Sequence, residues 1–408
     1  MNNKLKISSI LIYLVIWLSL FIDLYLDIDL SSGGSSSDFK NTFPIVINLL
    51  DLNVDGWSEY TRHFPLHYFL LSIIYKFLED DYLVRLIYII ISLFIPLLIF
   101  YNLQYIYKKI NINYLLIFSS LILLLPFLRS SIVWSNSHAT GLIFYLISNL
   151  FLQKFIIFNN IKSLILSILF LSFAVYSVQY YAAFFLIFLL IIFQNVKIKI
   201  FILSLILCFI SSLPGFYFLK IIPSSGDIPF STNIFNTLII NFSIFCFYLL
   251  MFINKKSVQI LYNNFKSQKY NSLLSIFIIC IFIISINNFD YSFKVGGGFF
   301  YKLSYILTKE VYLFYISAIL GGFLFFYQTD LKKENILKLL VLISTFFIMT
   351  SSYMIFQKYF EPLFMLICLF YLKNKYFLTI FIKKNLFFVF LFIFSYLMSS
   401  VIYINFIF

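Results

Sequence analysis

The residues of this chain that could do chemistry are few: of 408 residues, 16 are acids and three are histidines. Asp38 stands out among the acids. It follows the first apolar stretch and a Ser/Gly tract from Ser31 to Ser37, and it precedes a run, Phe39 to Leu50, that can fold as a helix. In a site partly closed from water such a carboxylate has a raised pKa and can take the proton of a sugar hydroxyl within hydrogen-bond reach. As a bare helix cap Asp38 would need no such role. Asp51, Asp55 and Glu59 in the same stretch are rival bases, although acids of this kind are more often solvated surface residues.

The cations are biased in type and place. Arg62, Arg85 and Arg129 are the three arginines among 29 basic residues, and the topology derived below puts all three, with His63, His67 and His138, on one side of a membrane. A guanidinium fork grips phosphate oxygens at two points where an ammonium cannot, so an anionic, phosphate-bearing ligand on that side is the physical reading. The plainer alternative is a small sample in which Arg85 merely caps a helix end. Lys358, beside Tyr359, is either a fourth cation for that phosphate or a snorkelling anchor. The run Gly296, Gly297, Gly298 offers backbone N–H groups to an anion, or is a plain flexible loop. Trp57 and Trp134 could stack on sugar rings or simply sit at a membrane interface. Cys208, Cys246, Cys280 and Cys368 lie in apolar stretches with no CxxC pair, which reads as packing and neither metal nor disulfide.

What must hold these groups is a membrane protein. The chain is 62% hydrophobic, 22% aromatic and only 11% charged, far more apolar than one water-facing surface could tolerate. That excludes a soluble enzyme, a secreted disulfide scaffold and a disordered tail. The net charge of +13 is spread as small lysine clusters between apolar stretches, so it orients helices in a bilayer and implies no nucleic acid. Thirteen apolar stretches qualify as spans. They fall near Ile7–Phe21, Tyr82–Tyr101, Tyr114–Leu128, His138–Leu152, Ser163–Val175, Val178–Phe193, Ile200–Leu219, Phe235–Ile253, Leu273–Ile286, Val311–Tyr327, Leu339–Met354, Tyr359–Leu372 and Leu386–Tyr403. With a cytoplasmic N-terminus, alternation puts 19 of the 29 basic residues inside, beside only Asp330 and Glu334 of the acids.

The expected fold class is therefore all-α and polytopic, with interfacial helices in a first outer loop covering about residues 27–81. Leu66 to Leu78 is too short to span and should lie flat, while Asp38 to Asn53 could form a second surface helix started by Ser37 or Asp38. Smaller outer loops are expected near 220–233 and 287–310.

These residues bring a family into view. Arg62-His63-Phe64-Pro65-Leu66-His67-Tyr68 resembles the His-Pro-Pro-Leu-Tyr-Tyr segment of the GT-C superfamily of polytopic glycosyltransferases, which includes protein mannosyltransferases and the aminoarabinose transferases of lipid A. The run Tyr82 to Arg85 looks like their Phe-Ala-Leu-Arg element, and Ala174 to Tyr181, with Tyr176, Gln179 and Tyr180, is similar to their Leu-Tyr-Thr-His-Tyr-Tyr stretch. Gln357-Lys358-Tyr359-Phe360-Glu361-Pro362-Leu363 resembles their late Arg-Tyr-x-x-Pro-Leu element. The likeness covers residues 1–194 as a transferase-like module and leaves 195–408 as additional helices.

The resemblance implies inverting transfer of a sugar from a polyprenyl-phosphate donor to a saccharide or lipid acceptor on the outer face of the cytoplasmic membrane. The family's base is an acid of an Asp-Glu pair after the first span, and it maps onto Asp38. Phe39 stands where the second acid is expected, and Phe64-Pro65 where two prolines follow the histidine. Arg62, Arg85, Arg129 and Lys358 would hold the donor phosphate; His63, His67, Tyr68, Tyr176, Gln179, Tyr180 and Gln357 would hold substrate. One carboxylate with histidines is a thin metal site, so neither metal nor cofactor is expected. Two other readings stay open: an O-antigen-type polymerase, whose large arginine-bearing loop would fall in the second half, and a transporter or flippase, which would show paired halves and charges at mid-membrane.

Overall fold

The structure, a computed structural model, describes residues 5–31, 34–49, 63–221, 233–267, 271–291, 296–329, 332–350 and 355–406. Among these residues the regular structure is helical throughout, with no strand. The chain forms two compact units, Met1–Gly226 with Ile393–Phe408, and Asp227–Phe392.

In the first unit α1 (Ile7–Tyr25) buries Tyr13, Leu20 and Leu24 and leaves Val15, Leu18 and Ile22 more than half exposed. Large apolar side chains turned outward in a stripe are what a helix against lipid carries. Just past its end Asp27 takes a left-handed φ of 50°, which lets the Ile28 N–H donate to the Asp23 carbonyl at 2.9 Å.

α2 (Gly34–Asn48) starts earlier than the sequence suggests, and neither Ser37 nor Asp38 caps it. Asp29 does that work from upstream: its carboxylate accepts from the Ser36 N–H at 2.7 Å and from the Ser31 N–H at 2.9 Å, while the Ser31 hydroxyl takes the Ser35 N–H at 2.7 Å. Asp38 is thereby an interior residue of the helix. α3 (Leu66–Leu78) has the bounds expected from Pro65 and Glu79.

Then come α4 (Asp81–Ile106), α5 (Ile112–Leu124), α6 (Pro126–Val133), α7 (Ser137–Phe158), α8 (Ile161–Ser177), α9 (Gln179–Asn195) and α10 (Ile198–Ile221). The stretch Tyr114–Leu128, one span by hydropathy, is broken: α5 and α6 meet at 72°. Pro126 is the reason. It occupies the first position of α6, where its fixed φ and missing N–H suit a helix start but cannot continue the previous one.

The second unit is built round α11 (Ile234–Leu250), capped by the Asn233 carboxamide at 3.0 Å from the Phe235 N–H. α12 (Lys255–Ser267), α13 (Asn271–Asn287), α14 (Phe299–Thr308), α15 (Tyr312–Tyr327), α16 (Lys333–Met349), α17 (Leu363–Ile367) and α18 (Lys375–Leu378) follow. α19 (Lys383–Phe406) closes the chain. The core is aromatic, with Phe245 stacked on Phe364 at 4.5 Å and Phe346 on Phe360 at 5.2 Å.

Among the described residues five helices are long and apolar enough to cross a membrane: α1, α4, α7, α10 and α19; the bent pair α5–α6 would make six. Six further apolar helices of 10–17 residues, α3, α8, α9, α11, α13 and α15, fall short of that length. Several apolar helices of this kind suggest a membrane protein.

Candidate functional site

All three histidines meet in the first unit, although they come from distant parts of the chain. His63, just before α3, shares a 2.8 Å hydrogen bond between its Nδ1 and the Gln179 carboxamide oxygen at the start of α9. His138, in the first turn of α7, pairs through Nδ1 with the Tyr180 hydroxyl at 3.1 Å, and the two rings stack at 5.7 Å. The rings of His63 and His138 lie edge to face at 5.8 Å. Three residues singled out by the motifs, His63, Gln179 and Tyr180, are thus in one place, joined by His138, which no motif marked.

His67 forms the buried floor of this group. Its Nδ1 bonds the Thr140 hydroxyl at 2.8 Å, and its ring is also bonded to the Ser135 carbonyl. The Tyr88 hydroxyl joins the Thr140 hydroxyl and the Asn136 carbonyl, the latter at 3.0 Å. Burial, followed by the nearby His63, pushes the His67 imidazole down to about 3, so it is a neutral hydrogen-bonding strut. Tyr68 is buried with its ring 5.1 Å from His67. Tyr176 stands slightly apart: its hydroxyl donates to the Ser211 carbonyl on α10, and its ring meets Phe64 at 5.8 Å.

Trp134, one residue before Ser135, organises Arg85. Arg85 lays its guanidinium on the Trp134 ring, 3.8 Å from the centroid, donates from Nε to the Val133 carbonyl at 3.0 Å and pairs through Nη1 with Asp27 at 2.8 Å. Its Nη2 is buried and has no hydrogen-bond partner among the described residues. Lys40 of α2 lies 5.7 Å from the centroid of the same ring. Trp134 itself is 4% exposed and donates to the Ile28 carbonyl at 3.2 Å, so its ring is committed to protein contacts.

Arg129 is engaged more fully. Nε and Nη2 reach the Asp23 carboxylate at 2.8 and 2.7 Å, and Nη1 and Nη2 take the hydroxyl and carbonyl of Ser19 at 2.9 and 3.1 Å. Both described arginines therefore answer carboxylates at the end of α1. Sequence reading missed Asp23 and Asp27, because nothing local signals partners 106 and 58 residues away.

Asp38 lies on the exposed side of α2 and accepts the Thr42 hydroxyl through its backbone carbonyl at 2.7 Å. Its neighbour Phe39 points inward, 6.1 Å from Trp134. α2 is tied to the histidine group by the Asn136 carboxamide, which donates to the Ser35 carbonyl at 3.4 Å. Arg62 lies outside the described residues, as do Asp51, Asp55, Glu59 and Trp57.

Gln357 and Lys358 belong to the second unit. The Gln357 oxygen accepts the Phe299 N–H at 2.7 Å, its nitrogen reaches the Tyr248 hydroxyl at 3.4 Å, and Tyr248 donates to the buried Glu361 carboxylate at 3.0 Å. Lys358 stands 5.2 Å from the Phe356 ring centroid. Beside them Gly296, Gly297 and Gly298 take φ values of 85°, 76° and 82°, and the Gly297 N–H donates to the Ile355 carbonyl at 3.0 Å. The run is a positive-φ turn before α14, whereas the sequence offered it either as an anion-binding run of N–H groups or as a plain flexible loop. No group of three or more His, Cys, Asp or Glu that could hold a metal ion occurs among the described residues.

No protein-family model matches the chain, and no curated protein or solved structure matches it either.

Proposed function

We propose that this chain is a polytopic membrane glycosyltransferase that moves a sugar from a polyprenyl-phosphate donor to a saccharide or lipid acceptor at the outer face of the cytoplasmic membrane. The thirteen apolar stretches would be its spans, the short ones matched by local thinning of the bilayer and snorkelling flanks, with the N-terminus in the cytoplasm. In the reaction the acceptor hydroxyl oxygen attacks the anomeric carbon and the bond from that carbon to the phosphate oxygen breaks with inversion. Asp38 takes the hydroxyl proton, and the phosphate departs with the electron pair.

The observation that carries this reading is the convergence of the motif residues His63, Gln179 and Tyr180 with His138. His63 with Gln179, and His138 with Tyr180, close on one another, and a chain of hydrogen bonds through His67, Thr140, Tyr88 and Asn136 reaches the backbone of α2, which bears Asp38. Imidazole, carboxamide and phenol groups of this kind suit sugar hydroxyls. The unpartnered Nη2 of Arg85 is the described guanidinium nitrogen best placed to receive a phosphate oxygen, whereas Arg129 acts as a positioning residue that holds the end of α1. Asp38 is exposed, so the bound donor and acceptor would supply the desolvation a base needs.

The test is an assay of membranes with radiolabelled polyprenyl-phosphate sugars. The wild-type chain is expected to move label to an acceptor, and Asp38→Asn to lose turnover by about a hundredfold or more while the protein stays inserted and abundant. Full turnover by Asp38→Asn would discard Asp38 as the base. No transfer by wild type from any donor tried, with transport of intact lipid-linked sugar instead, would replace the enzyme by a carrier.

A further inference from the structure

The second unit carries an amphipathic helix for which neither the transfer reaction nor the span pattern provides a task. α12, Lys255–Ser267, lies between the apolar helices α11 and α13 and holds no acid in its sequence KKSVQILYNNFKS. It is fixed in rotation. The Asn254 carboxamide oxygen accepts the Lys256 and Ser257 N–H groups at 3.0 and 3.1 Å, and its nitrogen donates to the Thr379 hydroxyl at 2.7 Å. Further along, the Asn264 carboxamide donates to the Tyr327 carbonyl at 3.0 Å. Ser257 and Asn264 thus define the side turned to the protein.

With one side pinned, the others are determined. At about 100° per residue, Val258, Tyr262 and Phe265 fall within about 60° of one another on a neighbouring sector. They are 49%, 62% and 42% exposed. The next sector carries Lys255 and Lys266, with Lys256 beyond, all exposed. Lys375, on the adjoining α18, is exposed as well. The helix therefore shows three strips in order: protein-facing, apolar and exposed, basic and exposed.

We infer that α12 lies in the headgroup layer of the membrane, with Val258, Tyr262 and Phe265 in the acyl boundary and Lys255, Lys256 and Lys266 on anionic phospholipid headgroups. Thirteen residues with three lysines are too short and too charged to span, and an apolar strip beside a basic one fits a surface that is oily below and negative above. The complementarity is one of charge: no acid on the helix competes for its cations, and each lysine near an anionic surface strengthens the contact by about fivefold. This inference is independent of sugar transfer.

The test uses the full chain with the photo-crosslinker benzoylphenylalanine in place of Tyr262, held in nanodiscs of phosphatidylcholine with or without phosphatidylglycerol. Irradiation should give lipid adducts in both discs, with phosphatidylglycerol captured several-fold above its share of the disc. That preference should vanish in Lys255→Gln/Lys256→Gln/Lys266→Gln. Raising the salt should also erase it in the otherwise unaltered chain, which keeps the test valid if the triple variant fails to fold. Adducts to protein only, no adducts, or phosphatidylglycerol captured merely at its share would each overturn the inference, as would a preference that ignores both the lysines and the salt.

Discussion

The two units bury polar groups in different ways. The first buries ions: Arg129 and Asp23 are paired inside it, and Arg85 is packed on Trp134 with Asp27 as its carboxylate. The second is stacked phenylalanine, relieved by a mostly neutral chain from Phe299 through Gln357 and Tyr248 to Glu361. Buried charge is costly and survives only where its partner is within hydrogen-bond reach, whereas ring stacking asks for shape alone. The first unit thus sets its buried charges against opposite ones beside the three histidines, whereas the second meets its buried Glu361 carboxylate with the Tyr248 hydroxyl.

The sharpest way to break this contrast is to remove one ion. Arg129→Leu leaves Asp23 buried with no guanidinium, which should cost about 3–5 kcal/mol, read as unfolding of the purified protein in detergent. Replacing both, Asp23→Leu with Arg129→Leu, should recover most of that loss, because the cost lies in the orphaned charge. If the single variant is as stable as wild type, the pair is not what holds α1 to α6.

The second unit should fail by shape instead. Gly321 on α15 faces the backbone of α11 so closely that an added Cβ would run into the Phe242 carbonyl. Gly321→Ala should therefore cost about 1–3 kcal/mol through displacement of α15 from α11. Gly141→Ala in the first unit would meet only the edge of the Tyr181 ring and should be milder. Equal losses at the two positions would erase the distinction between backbone and side-chain contact.

These features differ in how far the sequence announces them. α3 is legible to the residue, since Pro65 and the acids after Leu78 bracket an apolar run. His63, Gln179 and Tyr180 could be picked out as polar residues of two separate segments, but their meeting with His138 is a tertiary fact that no local pattern announces. The 72° break before Pro126 was not legible, since mean hydropathy does not register direction. Nor was the cap of α2, where Asp29 reaches seven residues forward to Ser36 past a nearer and more conventional candidate in Asp38. α12 escaped because two strips of opposite character average to nothing in a hydropathy window. The pairings of Asp23 and Asp27 are tertiary facts, visible only once α1, α4 and α6 are side by side.

The smallest effect concerns the neutral strut under the histidines. In the folded chain burial holds the His67 imidazole down at about 3, while in the unfolded chain it takes a proton below about 6.5. The unfolded state thus binds the extra proton, so the stability that comes from a neutral His67 is complete above pH 6.5 and drains away as pH falls from there toward about 3. The slope is at most about 1.4 kcal/mol per pH unit. Stability in detergent should drop between about pH 7 and about pH 5, and less steeply in His67→Gln, which cannot titrate there. His63 and His138 are kept in both proteins, so the difference in slope isolates His67. Parallel curves would mean that His67 can charge within the fold, and its bond with Thr140 would then lose its standing as the rigid base of the group.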